Sequence, residues 1–189
     1  MKTEKEHILV NINALDKCFE NKYMENILFK DCDFSNQNLS SISFIGCEFV
    51  NCNLSGVKLY DTRLNEVVFN ESKLVGVDFG LFNDFICKME FRRSIMDFSV
   101  FPKKKLAKTQ FIECSMKECS FEETDLSGVL FDKVDLERTS FIGCNLSKAD
   151  FYTAYHYEID AEANLLTHAR FSLSEVKGLL SKYKLKIEE

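Results

Sequence analysis

Large apolar side chains recur at every fifth position along most of this 189-residue chain. Phe, Leu or Met occupies each fifth residue from Phe29 to Phe79, and again from Phe91 to Phe151. The positions on either side of these residues are mostly polar. This recurrence matches neither the period of roughly 3.6 residues of an α-helix nor the period of about two residues of a β-strand. It indicates a chain that turns a corner every five residues and points the middle residue of each unit inward.

Four such units close a square, so about twenty residues form one coil of a solenoid. We therefore predict an all-β fold, a four-sided β-helix of roughly six to seven coils stacked about 4.8 Å apart. Its interior is one side chain wide, and the central residues of the units fill it. The expected core includes Phe29, Phe34, Phe49, Leu54, Phe69, Leu74, Phe111, Phe121, Leu126, Phe131, Leu136, Phe141, Leu146 and Phe151.

The remaining positions of the unit support this arrangement. Six of the eight cysteines lie two residues before a central residue, where free Cys can pack as a small apolar side chain. Five of the seven glycines lie two residues after a central residue, as expected of a corner that favours a positive φ. From Phe91 onward, Phe alternates with Leu or Met, which predicts two opposite walls of Phe and two of smaller side chains.

Breaks in the periodicity define the expected domain organisation. The two runs are out of phase by two residues, which predicts a small bulge at 80–85. We expect an N-terminal cap over residues 1–18, the β-helix over 19–153, and a C-terminal cap over 154–189. A solenoid needs such caps, because its terminal coils otherwise expose core and unpaired strand edges.

The C-terminal segment has a helical pattern. Ser172 and Glu175 have the spacing of a capping box, which predicts a short α-helix after them. Its apolar stripe either caps the solenoid or forms a homodimer interface. The residues of this stripe are Leu173, Val176, Leu179, Leu180 and Tyr183.

Composition and charge narrow the functional classes. The net charge of −6 argues against general nucleic-acid binding, so no direct contact with nucleic acid is expected. No apolar stretch approaches the roughly 20 residues of a membrane helix. The charged segment Met1–His7 lacks the apolar centre of a signal peptide, so a cytoplasmic location with free thiols is expected.

No motif of an enzyme or a metal site is present. The sequence contains no phosphate-binding loop, dinucleotide fingerprint or zinc-protease motif. The pairs Cys47/Cys52 and Cys114/Cys119 follow from the repeat, and zinc sites typically use closer spacings. A solenoid filled with Phe and Leu also leaves little room for a substrate pocket. We therefore expect no cofactor, no metal and no catalytic residue.

The units identify a resemblance. Several resemble the motif of pentapeptide-repeat proteins, loosely A(D/N)LXX, and the resemblance covers about residues 19–153. Matching units are Cys32–Asn36, Cys52–Gly56, Thr124–Gly128, Cys144–Lys148 and Ala149–Thr153. This resemblance implies a right-handed quadrilateral β-helix.

Within that family, the chain is similar to the Qnr and McbG-like branch. The similarity lies in its size, its Phe-rich and Cys-rich units, and the tail Ile159–Asn164 that leads to the expected helix. The resemblance implies a non-catalytic protein that protects or modulates DNA gyrase and topoisomerase IV, by partial mimicry of duplex DNA or by docking. The alternative is a structural or interaction scaffold for another protein partner.

The number of negative charges on the chain tests whether the rod imitates duplex DNA. Duplex DNA carries about one charge per 1.7 Å, so a rod of roughly 30 Å would need on the order of 18 negative charges. The net charge here is −6. Stacking at twenty residues places Glu113 over Lys133, and such columns neutralise themselves.

Several outward positions are candidates for partner contact. A basic cluster over 88–108 is either an ordinary solvated face or a docking patch for an acidic partner or nucleic acid. An acidic column and the bulge add further candidates. The candidate partner-binding residues are Asp31, Asn51, Glu71, Phe82, Arg92, Arg93, Lys103, Lys104 and Lys105.

Overall fold

The chain winds into a parallel β-solenoid of about eight turns. The structure is a computed structural model and describes residues 7–12 and 22–187. Strands of successive coils pair in parallel: Phe29 lies opposite Phe49, and Phe49 lies opposite Phe69, which gives 20 residues per coil. The predicted fold class is confirmed, but the number of coils is about eight and not the six to seven expected, because coil stacking extends beyond both ends of the predicted repeat. In the described ranges no helix is long and apolar enough to cross a membrane.

The strands are short because a corner follows each unit. The first wall contains β1 (His7–Val10), β3 (Ile27–Lys30), β5 (Glu48–Val50), β8 (Gln110–Ile112), β10 (Leu130–Asp132), β12 (Asp150–Phe151) and β13 (Arg170–Phe171). The third wall contains β9 (Ser120–Glu122) and β11 (Ser140–Ile142), and the fourth wall contains β2 (Tyr23–Glu25) and β4 (Ser43–Ile45). The longer strands β6 (Arg63–Asn70) and β7 (Asn83–Arg92) run across the fourth and first walls. The second wall is held by isolated bridges such as that between Ser115 and Asp135.

The central residues form the interior. Every core side chain named above is at most 4% exposed. On the first wall, Phe91, Phe111 and Phe131 stack with ring centroids 5.1 and 5.2 Å apart and nearly parallel planes. Rings from different walls meet edge to face, as Phe131 and Phe141 do at 6.2 Å. The interior is therefore a continuous ladder of offset and perpendicular rings, both favourable aromatic geometries.

Most corners use a left-handed backbone without glycine. Gly46, Gly76 and Gly128 have the positive φ that their position predicts. Glu113 and Lys133 occupy equivalent corners with φ of 54° and 53°. Such a conformation costs roughly 1 kcal/mol for a residue with a Cβ atom. Hydrogen bonds between coils offset this cost, since most corner N–H groups donate to a carbonyl of the next coil, as Glu113 does to Asp132 at 2.8 Å.

Where Cys, Ser or Thr occupies the position two residues before the centre, the side chain acts as a hydrogen-bond donor as well as a small filler. Cys119 donates its thiol to the Met96 carbonyl at 3.1 Å, and Ser99 donates its hydroxyl to the Leu74 carbonyl at 2.7 Å. The Thr124 hydroxyl makes the equivalent bond to Phe101. The cysteines therefore share a role with Ser and Thr, which the sequence interpretation of Cys as an apolar filler missed. Each of these donors bonds the main-chain carbonyl of a central residue in the preceding coil.

We expect the six thiols in this position to be unreactive in the folded protein. Burial raises the pKa of Cys114 to about 11 and that of Cys119 to about 12, and thiolate is the reactive form. A variant carrying Cys18→Ser and Cys87→Ser tests this with Ellman's reagent. It should show no fast-reacting thiol at pH 8, and six in guanidinium chloride. Fast labelling of the native variant would contradict the burial of Cys32, Cys47, Cys52, Cys114, Cys119 and Cys144.

The interruption of the repeat is a bulge over 84–87. Arg63 pairs with Asn83 and Asn65 pairs with Lys88, so four residues on β7 lie opposite one on β6. Val67 then pairs with Met89, which leaves Glu66 without a pairing partner on β7 and reduces the net insertion to two residues. Beyond it the offset is 22 residues, as between Phe69 and Phe91. The predicted range of 80–85 overlaps this bulge only at residues 84 and 85, because the extra residues lie further along the chain than expected. Residues Phe79–Leu81 form a 3₁₀ turn whose last carbonyl accepts the regular bond from Asp61 at 3.0 Å.

Coil stacking continues past the boundary expected at residue 153. Asn145 bridges Leu165, and β13 pairs with β12, so a further coil follows. At the other end, residues 7–10 pair with the first complete coil as strand β1. The rest of the expected N-terminal cap, 1–6 and 13–18, lies outside the described residues.

The expected C-terminal α-helix is wrong. Val176–Leu179 and Ser181–Tyr183 form two 3₁₀ helices. The capping-box spacing is used in part, because the Ser172 hydroxyl accepts from the Glu175 N–H at 3.3 Å. We attribute the 3₁₀ conformation to Gly178, which lies in close contact with Tyr157 of the last coil. A tight turn at Gly178 also lets its carbonyl accept a hydrogen bond from the Ile159 N–H at 3.1 Å.

The apolar stripe expected in this segment does not form one face. Leu179 packs against the core, and Val176 is half-buried. Leu173 is 92% exposed, and Leu180 and Tyr183 are also exposed. A 3₁₀ turn has about three residues per turn, so side chains spaced for an α-helix diverge. Association of two copies through these residues stays a prediction.

Candidate interaction surface

The interior offers no place for a substrate. Side chains fill the described coils, and the described residues include no cluster of His, Cys, Asp and Glu able to hold a metal ion. A cleft of about 770 Å³ lies outside the coils, where the last coil meets the C-terminal segment. Candidate functional residues must therefore be sought on the outer surface.

Charged groups beside this cleft are paired with one another. His156 Nδ1 lies 2.9 Å from Asp135, and Lys117 Nζ lies 3.0 Å from the same carboxylate. Burial raises the pKa of Asp135, but hydrogen bonds from His156 and Lys117 outweigh it and hold the pKa below its usual value. The His156 N–H also donates to Glu175 at 3.3 Å. The cluster joins the last coils to the C-terminal segment.

Charges along three corners of the rod form ladders of opposite sign. Lys133 lies 3.0 Å from Glu113, and Arg138 lies 3.4 Å from Glu118, as the stacking predicted. Lys103 lies 3.7 Å from Glu123. These pairs are exposed, so each contributes little stability. Their main effect is that the rod has few rows of uncompensated charge.

In the acidic column predicted at Asp31, Asn51 and Glu71, one carboxylate is bonded to a neutral amide and the other is paired with a base. Asn51 donates to Asp31 at 2.7 Å, and Arg93 lies 2.9 Å from Glu71. Both carboxylates therefore have partners within the rod. An imitation of DNA needs a dense row of unpaired negative charge, and this column does not provide one.

Two of the predicted contact residues have internal roles. Phe82 is 2% exposed and packs edge to face against Phe79, so it belongs to the core and is wrong as a surface residue. Lys104 donates to the Phe82 carbonyl at 2.8 Å and lies 4.9 Å from its ring centroid. Arg92 is bound to Glu90 at 2.6 Å. Lys105 is exposed on the fourth wall.

The bulge presents Phe85, which sequence reasoning did not select. Its side chain is 89% exposed. Asn83 holds the start of the bulge, since its side chain accepts from the Phe85 N–H at 3.2 Å and donates to Asp61 at 3.1 Å. The two-residue phase shift was the available signal, but it did not tell which Phe points outward. An exposed aromatic on an anchored bulge is a typical contact residue for a partner.

The fold and the surface define a class. The molecule is a solenoid of five-residue units with a filled interior, paired charges on its outside, and one exposed aromatic bulge. The family described as Pentapeptide repeat region matches residues 22–97, and Pentapeptide repeats (8 copies) matches residues 119–154. The chain belongs to the pentapeptide-repeat family.

Two solved structures match most of this chain at low sequence identity. QnrB1, a plasmid-mediated fluoroquinolone resistance protein, is 19% identical, with a TM-score of 0.44 and coverage of 96% of this chain and 99% of that chain. HetL, involved in heterocyst differentiation regulation in the cyanobacterium Nostoc sp. strain PCC 7120, is 15% identical, with a TM-score of 0.41 and 90% coverage of both chains. No curated protein matches the sequence.

Proposed function

We propose that this protein is a non-catalytic binding protein whose outer surface docks on a partner protein. The observation that carries this proposal is Phe85, 89% exposed on a bulge whose backbone is anchored by Asn83. Large aromatic side chains are enriched among the residues that contribute most to protein interfaces, and here the backbone that carries the ring is held in place. The filled interior supports the same conclusion, since a binding or catalytic pocket has no space inside the coils.

The candidate partner is a bacterial type II topoisomerase, DNA gyrase or topoisomerase IV. The resemblance of the sequence to the Qnr and McbG-like branch supplies this candidate. Docking through the bulge is favoured over imitation of DNA, because acids such as Glu71, Glu113 and Glu118 are paired with bases on the rod.

A supercoiling assay tests this proposal. We expect micromolar protein to change gyrase supercoiling, either by restoring it in the presence of ciprofloxacin or by inhibiting it directly. Phe85→Ala should weaken this effect, because it removes the apolar contact of the bulge. Tyr60→Ala is the matched control: it removes another exposed ring, 65% accessible, from the third wall and should leave the effect unchanged.

The outcomes separate the two candidate functions. No effect of the wild-type protein on gyrase would exclude the topoisomerase and leave the scaffold for another protein partner. An effect that Phe85→Ala and Tyr60→Ala weaken equally would contradict docking through the bulge. Copurification from the host, without a topoisomerase among the partners, would favour the scaffold.

A further inference from the structure

The corner between the fourth and first walls differs from the other three. Lys108, Gly128, Lys148 and His168 stack along it in successive coils, all with φ near +60°. The Lys108 N–H donates to Ser127 at 3.0 Å, and the Lys148 N–H donates to Thr167 at 2.9 Å. A Cβ atom built on Gly128 would lie 3.7 Å from Lys108 Cγ, so the two residues are direct neighbours. We call these four residues the basic ridge.

Charge on the basic ridge is not compensated by the rod. Within residues 7–12 and 22–187, neither Lys108 nor Lys148 forms an ion pair, whereas the other corners alternate in sign. Ion pairs near the ridge do not involve its lysines. Lys88 lies 3.3 Å from Glu66, and Arg170 lies 3.1 Å from Asp150. A protein with a net charge of −6 therefore keeps one line of like positive charge.

On the fourth wall, the row of positions next to the ridge carries small side chains. Ala107, Ser127, Ser147 and Thr167 precede the ridge residues in successive coils. The bulge with Phe85 lies on the same wall one coil before Lys108, on β7 immediately before Lys88, and so at one end of this row. The ridge thus forms a basic edge, the small residues form a floor, and an exposed aromatic marks one end.

The distance between the two lysines of the ridge favours one kind of secondary structure in a bound segment. Lys108 and Lys148 are two coils apart, which is about 10 Å at the spacing of stacked strands. On an α-helix, residues i and i+7 are about 10.5 Å apart and lie on the same face. On an extended strand, about 10 Å corresponds to three residues, whose side chains point to opposite faces. A helix can therefore direct two carboxylates at both lysines, and a strand cannot.

We propose that the basic ridge and Phe85 bind an acidic helical segment of a partner protein. That segment carries acidic residues at i and i+7 that face Lys108 and Lys148, and an apolar residue about one turn before i that covers Phe85. The charge of the ridge complements the carboxylates, and the negative charge of the rest of the rod disfavours a long polyanion such as DNA. This inference rests on the proposed function, because it specifies the chemistry of the partner.

A defined probe tests the proposal without a known partner. The probe is a fluorescein-labelled helical peptide of about 18 residues with Glu at i and i+7 and Leu at i−4. Fluorescence anisotropy measures its binding to the full-length protein in low and high salt. We expect binding that weakens with salt, and about a tenfold or greater loss for the double variant Lys108→Glu/Lys148→Glu. Phe85→Ala should weaken binding without changing its salt dependence.

Matched controls distinguish the ridge from bulk charge. Lys58→Glu/Lys73→Glu reverses two exposed lysines on other walls and should leave binding unchanged. A peptide with Gln in place of both Glu residues should not bind. The neutral variant Lys108→Gln/Lys148→Gln checks the result if charge reversal lowers the melting temperature.

The remaining outcomes would overturn the inference. These are no binding of the acidic peptide, equal loss in the control variant, or tighter binding of a single-stranded 20-mer DNA than of the peptide. Ridge-dependent peptide binding without any effect on gyrase would leave the inference standing and reject the topoisomerase. An effect on gyrase that is unchanged in the ridge variants would reject the inference and leave the topoisomerase as the partner.

Discussion

We expect Phe111→Ala to lower the free energy of unfolding by about 3–5 kcal/mol, the largest change for any single side chain of the core. Phe111 is fully buried and stacks on Phe91 at 5.1 Å and on Phe131 at 5.2 Å. The coils above and below are held apart by their backbone hydrogen bonds, so they cannot close the cavity. Urea denaturation followed by circular dichroism measures the loss.

Phe85→Ala is the matched control for this change. It removes the same side chain from a position that is 89% exposed, so it should alter stability by less than about 0.5 kcal/mol. Similar losses for the two variants would mean that the ladder of rings does not carry the stability of the rod. Because each coil contacts only its neighbours, we also expect the transition of Phe111→Ala to be broader than that of the wild type.

Gly178→Ala should release the C-terminal segment from the last coil. A Cβ atom at Gly178 would lie 2.0 Å from the Tyr157 carbonyl oxygen and 2.9 Å from its ring, so the segment must move. Overpacking of this kind costs about 1–3 kcal/mol, and here it also uncovers the end of the core. Hydrogen exchange is the direct measurement: the Ile159 N–H, which donates to Gly178 at 3.1 Å, should lose its protection.

Gly76→Ala is the control for the effect of a methyl group at a glycine. Gly76 has a φ of +65° and no atom within 4 Å of its Cβ position, so only backbone strain of roughly 1 kcal/mol is expected. Exchange at Ile159 should stay slow in this variant. Unchanged protection of Ile159 in Gly178→Ala would show that the segment does not depend on the close contact with Tyr157.

The sequence correctly predicted the structural features that recur in every five-residue unit. Phe111 and its equivalents point inward because a corner every five residues leaves one large side chain per wall. The spacing of the apolar residues directly predicts this inward orientation. The pairing of Glu113 with Lys133 follows from the same arithmetic, since stacked residues are 20 apart. The thiol donors were missed because Cys in a periodic position also fits an apolar role.

The candidate surface was harder to predict, because it depends on the break in the repeat. A shift of two residues is compatible with several placements of the extra residues. Phe82 and Phe85 are three positions apart and equally apolar, yet one is buried and the other exposed. The choice follows from the 3₁₀ turn at Phe79–Leu81 and the anchor at Asn83, which involve residues of the coil below. Local propensity does not encode these contacts.

The five-residue recurrence of apolar side chains by itself determined that this protein is a four-walled parallel solenoid with a filled interior. Apolar side chains at that spacing share one face neither on an α-helix nor on a single β-strand, whereas they all point into the interior of such a solenoid. The tertiary structure alone decided where the bulge projects, how the C-terminal segment turns at Gly178, and which charges stay unpaired. These features arise between residues about 20 apart, where coil packing and flexible charged side chains select the partners. The basic ridge at Lys108 and Lys148 therefore became visible only when the coils were stacked.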